Sequence, residues 1–222
     1  MRTFYFIFIA LFFLGACSGG IRVPADVSAV VFPALPIFPI SPSNNNTPTI
    51  SFTLTEAGQV SINSDSLCTV PLSETQVFDP GENNLVLNSL SEGAYDFFLQ
   101  HTPSSGNPST CNLIESQYVI DMTPPSVLLT SSASSVTRSS IQITATFSEA
   151  VEPLVAESVI VTNGYIETVV QAGNEASFTV SPINESENVS ISIASGAIRD
   201  LAGNTNNTAS NTLSYTYDVT AP

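Results

Sequence analysis

The sequence predicts an all-β protein whose folded part is two β-sandwiches in tandem, preceded by a cleaved leader and an extended tether. Three observations point there. From Thr49 onward, short runs of alternating apolar and polar residues recur, separated by Gly, Asn, Pro or Ser clusters, at the spacing of about eight to twelve residues that marks a sandwich or barrel. Beyond residue 20 no apolar period of helical type and useful length competes with them. One phrase also occurs twice: "YVIDMTPPSV" at 118–127 and "YTYDVTAP" at 215–222 align Tyr118 with Tyr215, Asp121 with Asp218, Thr123 with Thr220 and Pro125 with Pro222. A strand end, an acid, and a proline that stops the sheet make a joint between domains. Asp121 is expected to join the first domain to the second. Asp218 is expected to join the second to a third, which reads the chain as a fragment of a longer array. The expected boundaries are 1–16 for the leader, 17–47 for the tether, 48–122 for the first sandwich and 123–222 for the second.

The leader comes first. "MRTFYFIFIALFFLGACSGG" opens with Arg2 and an apolar run from Phe4 to Leu14. The run is too short for a mature membrane helix, which needs about 20 residues, and has the length and flanks of a signal peptide core. Its end, Leu14-Gly15-Ala16-Cys17, resembles the lipobox of bacterial lipoproteins. The resemblance implies cleavage before Cys17, a diacylglycerol thioether on its sulfur, and a chain held in the membrane. Two or more acyl chains anchor stably where one does not. By the sorting rule of enteric bacteria, Ser18 after the cysteine implies the outer membrane of a bacterial cell envelope.

The tether is read from prolines. Pro24, Pro33, Pro36, Pro39 and Pro42 share one three-residue register, the period of polyproline II, and proline lacks the donor that a central strand needs. Some 30 residues at about 3.1 Å each would reach on the order of 90 Å. Its filler is apolar (Val30, Val31, Phe32, Leu35, Ile37, Phe38, Ile40), so it is expected to lie on the membrane or pack on a domain.

The strands follow. "TISFTL" (49–54), "QVSIN" (59–63), "NLVLNSL" (84–90), "AYDFFLQ" (94–100) and "SQYVID" (116–121) form the first set. "SVLLTS" (126–131), "IQITATF" (141–147), "SVIVTNG" (158–164), "YIETVVQ" (165–171), "ASFTVSP" (176–182), "NVSISIA" (188–194) and "NTLSYTYD" (211–218) form the second. Ile141, Ile143, Ala145 and Phe147 fall on one face. Seven short strands in about 100 residues match one immunoglobulin-like sandwich. Together, "IQITATFSEAVEPL", "VIVTNGYIETV" and "IASGAIRDLAGNTNNTASNTLSYTYD" resemble a bacterial Ig-like domain, a type that recurs in tandem in surface proteins and adhesins, through its "FSE-x-V", "TNG" and "D-x-AGN" phrases. "NNLVLNSLSEGAYDFFLQ" resembles the core of a related repeat, with His101 where relatives carry an Asp.

Lipidation of Cys17 leaves Cys68 and Cys111, an even pair in an exported chain, which predicts a disulfide. Immunoglobulin topology would place Cys68 at the start of a third-strand segment and Cys111 before the last strand. The alternative for the pair is a zinc site with His101, which would need a fourth ligand.

Charge and chemistry narrow the function. Nineteen acids face four arginines and no lysine, a net charge of −15. Such a surface repels nucleic acid and anionic lipid at long range. With one histidine, His101, no Gly-x-Ser-x-Gly elbow and acid pairs (Glu149 with Glu152, Glu185 with Glu187) only in loops, no enzyme is expected. One cofactor, Ca²⁺, is weighed at the interdomain junction, where Asp121 would approach Glu149 or Glu152 and Asp200 or Asn204. These are hard oxygen donors, and calcium takes six to eight. The other reading is that Asp200 and Asn204 build their own turn. The expected product is a lipid-anchored envelope protein serving adhesion, display or spacing toward a protein or glycan ligand. The alternatives are a spacer region of a longer lipid-anchored enzyme and a carbohydrate-binding module.

Overall fold

A computed structural model of the protein describes residues 30–31, 36–106 and 111–220. The leader, Cys17 and the tether positions 17–29 and 32–35 lie outside the described residues. The first sandwich contains β1 (Val30–Val31), β2 (Ile37–Phe38), β3 (Thr49–Leu54), β4 (Gly58–Asn63), β5 (Gln76–Phe78), β6 (Gly81–Val86), β7 (Gly93–Pro103) and β8 (Asn112–Ile120). One sheet has β3 at its centre, paired antiparallel with β1 and β2 on one edge and β6 on the other. The facing sheet runs β5-β4-β7-β8. Alternation explains the pairing of the two sheets: Ile50, Phe52 and Leu54 from β3 turn inward to meet Val60, Ile62, Phe97, Leu99, Tyr118 and Ile120. Burying each large apolar side chain contributes roughly 1.5–3 kcal/mol.

The second sandwich contains β9 (Val127–Thr130), β10 (Val136–Thr137), β11 (Ile141–Phe147), β12 (Val159–Thr162), β13 (Gly164–Ala172), β14 (Glu175–Pro182), β15 (Asn188–Ile193) and β16 (Leu213–Tyr217), with one 3₁₀ turn at Ala156–Ser158. Its sheets run β13-β14-β11-β9 and β10-β16-β15-β12. Between them lies a second core of Ile141, Ile143, Phe147, Phe178, Val180, Ile191 and their neighbours. The edge strand β13 carries a register shift between Ile166 and Val169, a device that discourages edge-to-edge pairing.

Over its described residues the expected tether packs on a domain, one of the two placements read for its apolar filler. Val30 and Ile37 are buried in the first core, and residues 36–44 run along the sandwich as its opening strand. The three-residue proline spacing leaves two-residue windows, and Ile37–Phe38 occupies one of them, pairing with Ile50 and Thr49. An edge position tolerates the missing proline donors. The segment then crosses to the other sheet, where Ser43 bridges Ile120 in parallel. The second sandwich repeats the manoeuvre: β9 pairs with β11, and β10 then pairs in parallel with β16. Among the described filler residues, Val30 and Ile37 are core, while Val31, Phe38 and Ile40 stay exposed.

Candidate functional site

The residues singled out from the sequence converge where the sandwiches meet. On the second sandwich, Glu149 sits in the loop after β11 and Asp200 in the long loop after β15. These loops are joined by the Val151–Asp200 bridge and by Glu152 N–H donating to the Arg199 carbonyl at 2.8 Å. Asp200 is buried and organises its own turn. Its Oδ1 accepts from the amides of Gly203 at 2.6 Å and Asn204 at 2.8 Å, and its Oδ2 accepts from Asn204 Nδ2 at 2.7 Å. Gly203 has φ +100°, a conformation glycine adopts without strain. Farther along, buried Asn206 accepts from the Ile198 amide and donates to the carbonyls of Ala194 and Thr208.

The first sandwich supplies Asp121, Glu92 and the strap formed by residues 36–44. Ser43 N–H donates to the Val119 carbonyl, and Asp121 N–H donates back to the Ser43 carbonyl, both at 3.0 Å. Thr123 is held from two sides: its amide donates to Asp121 Oδ1 at 3.0 Å and its hydroxyl donates to Glu92 Oε2 at 2.9 Å. Two bonds then cross to the second sandwich. Asn204 Nδ2 donates to the Asp121 carbonyl at 2.9 Å, and the Asn44 amide donates to the Ala202 carbonyl at 3.0 Å.

Carboxylate oxygens of Asp121, Glu149 and Asp200 lie within 4.8 Å of one another. Burial raises the pKa of Glu149 above the usual carboxylate value, and the negative charges of Asp121, Asp200 and Glu92 push it the same way. The donor set is hard oxygen, as calcium requires, and each acid keeps lone pairs beyond those already engaged. Two weighed residues fall outside the cluster. Glu152 stands 4.0 Å from Arg199 in an exposed pair. Asn204 directs its amide nitrogen to Asp121 and Asp200, building the turn that was the other reading. Glu92 and the strap were missed. The only sequence signal was that Glu92 and Glu185 each sit in the turn before the penultimate strand of their repeat.

Elsewhere, Cys68 and Cys111 form a disulfide. Cys68 lies in the loop after β4 rather than at the start of a strand, and Cys111 directly precedes β8. Asp65 ties that loop, accepting from the amides of Leu67, Thr69 and Val70. A bonded pair leaves no thiolates for the zinc alternative. His101 is buried in β7, where burial lowers its pKa while Glu56 pulls it upward. Tyr215 is core and Tyr165 is exposed on β13.

Residues 121–217 match the family model of the bacterial Ig-like domain. The second sandwich is a bacterial Ig-like domain. The match begins at Asp121, so the joint residue enters with the Ig-like domain it supports. Among solved structures, the fibronectin(III)-like modules of CbhA from Clostridium thermocellum are similar over 85% of this chain and 94% of that one, at 15% identity and a TM-score of 0.37. Invasin, a bacterial integrin-binding protein, is similar over 79% of this chain and 36% of its own, at 12% identity and a TM-score of 0.32. No curated protein matches the chain.

Proposed function

We propose that the protein is a non-catalytic component of a bacterial cell envelope, most simply the outer membrane, anchored through a lipidated Cys17. Its two sandwiches act as a stiff spacer that displays exposed loops to a protein or glycan ligand. The observation that supports this most is the joint. Bonds from Asn204 to Asp121 and from Asn44 to Ala202 cross it, and Asn44 belongs to a strap tied into the first sandwich, so bending requires these bonds to break together. Spin labels placed on the two sandwiches should give a narrow distance distribution; a broad one rejects the spacer. Detergent partitioning of the protein expressed with its leader tests the anchor. The native protein should enter the detergent phase and Cys17→Ser should stay in the aqueous phase, and equal partitioning would discard the anchor.

The carboxylate cluster favours a second reading of the joint, as a calcium-stiffened hinge. Asp121, Glu149 and Asp200 would hold the ion, whose charge would offset their mutual repulsion. Calcium should then raise the melting temperature of the native chain and leave that of Glu149→Gln unmoved. No rise in the native chain removes this reading and leaves the spacer standing.

A further inference from the structure

We infer that the peptide bond between Asp79 and Pro80 is a self-cleavage site, with Asp79 as nucleophile and Asn83 as donor to the scissile carbonyl, and that the two pieces stay joined through Cys68 and Cys111. Asp79-Pro80 is the only Asp-Pro pair in the chain, and both residues are exposed. They carry the chain from β5 in one sheet of the first sandwich to β6 in the other. This connection is held at both ends against a single residue of β3. Phe78 packs edge-on against Phe52, with ring centroids 5.2 Å apart, and Asn83 pairs with Phe52 across the ladder. Between them Gly81 takes φ +121°, a region that glycine enters without strain. Asn83 then reaches back to the bond. Its Nδ2 donates to the Asp79 carbonyl at 3.0 Å and to the Gly81 carbonyl at 2.9 Å.

These groups supply an intramolecular acyl transfer. A carboxylate oxygen of Asp79 adds to the carbon of its own main-chain carbonyl. The carbonyl oxygen takes the developing negative charge, and Asn83 Nδ2 already bonds it; a fixed donor at that oxygen favours the transition state without reorganising. The C–N bond then breaks. The Pro80 nitrogen, part of a tertiary amide, takes a proton from the solvent and leaves as a secondary amine. Water opens the cyclic anhydride left on Asp79, which becomes a C-terminal residue with both carboxyls restored. The net reaction consumes water and no other reactant. Attack within one residue avoids the entropic cost of bringing two molecules together.

The cut leaves the pieces assembled. The piece ending at Asp79 holds β3, β4 and Cys68, and the piece beginning at Pro80 holds β6, β7 and Cys111. The ladders of β3 with β6 and of β4 with β7 span the cut, and the disulfide crosses it. The second sandwich is then tied to the N-terminal piece by a reducible bond and by sheet pairing in place of main chain.

The test incubates the folded, oxidised full chain at about pH 5, where carboxylates are largely ionised and protons are still at hand. Denaturing gels with and without reductant follow the chain, and mass spectrometry identifies the products. The expected result is a pair of fragments, one ending at Asp79 and one starting at Pro80, that separates only after reduction. The same chain unfolded in urea at that pH should be cut about tenfold more slowly; an enclosed donor supplies more, but this site is open to water. Asn83→Ala should fall to the urea rate, and Pro80→Ala should not be cut. Equal rates folded and in urea overturn the inference, whether or not Asn83→Ala folds. A folded Asn83→Ala chain cut as fast as the native one also overturns it, as does a chain that stays whole or is cut first elsewhere. Fragments that part without reductant overturn the joining of the pieces.

Discussion

The inner faces of the second sandwich are filled by evenly alternating residues, and its longest loop is held by the side chains of Asp200, Asn206 and Asn211, the last bonding both the amide and the carbonyl of Leu129. The first sandwich has a buried histidine and a loop closed covalently by Cys68 and Cys111. It also draws its opening strand from a proline-rich segment that a regular ladder would reject. The contrast shows how one topology is reached from unequal sequence material. In the second sandwich side-chain hydrogen bonds finish the longest loop. In the first a covalent link closes the loop after β4.

The largest effect should come from opening the better core. Phe178→Ala should cost about 3–5 kcal/mol and lower only the second of two calorimetric transitions; a shift in the first would mean that the sandwiches unfold as one. Reducing the disulfide should have the mirror effect, lowering the first transition by about 2–4 kcal/mol and sparing the second. Asn206→Ala leaves the buried amide of Ile198 without its acceptor, and should destabilise the second sandwich by about 1–3 kcal/mol in urea titration.

Acid should single out the first sandwich. The folded pKa of His101 lies below its ordinary value of 6.5, so the unfolded chain binds the proton first. Stability is complete above pH 6.5 and falls as pH drops from there toward the folded value, by at most about 1.4 kcal/mol per pH unit. This dependence should vanish in His101→Gln. Gly58 packs so closely that an added Cβ would stand 2.6 Å from His101 Nε2, which keeps the ring walled in. The smallest effect belongs to the joint. Because the folded pKa of Glu149 is raised, its charge opposes folding at neutral pH. Glu149→Gln should therefore raise the melting temperature slightly at pH 7 without calcium, with the gain shrinking as pH falls through the raised value toward 4.5.

Much of the fold was legible because period-two alternation is a local signal. "IQITATF" places Ile141, Ile143, Ala145 and Phe147 inward as read, and the even pair of cysteines left beside Cys17 sufficed for the bridge. The opening strand was not legible, because Ile37 and Val30 contribute too few residues between prolines for alternation to register. Their partners, Ile50 and Leu54, are fixed only by tertiary packing. In the joint, Asp121, Glu149 and Asp200 were readable from loop order in a sandwich. Glu92 and Asn44 were not, since their roles depend on hydrogen bonds between segments far apart in sequence.

The strap has a mechanical consequence. Residues 36–44 travel toward the seam in the same direction as β8, and Ser43 and Asp121 are tied across that parallel run. A pull on the chain from the N-terminal side and from beyond β16 would load these ties side by side, so they would have to fail together rather than unzip one by one. Tension arriving from an anchor would be borne at the junction of the two sandwiches, where Asn44 also grips the Ala202 carbonyl. Shortening the strap's grip by Ser43→Pro, which removes the donor to Val119, should lower the force at which single molecules of the full chain first yield.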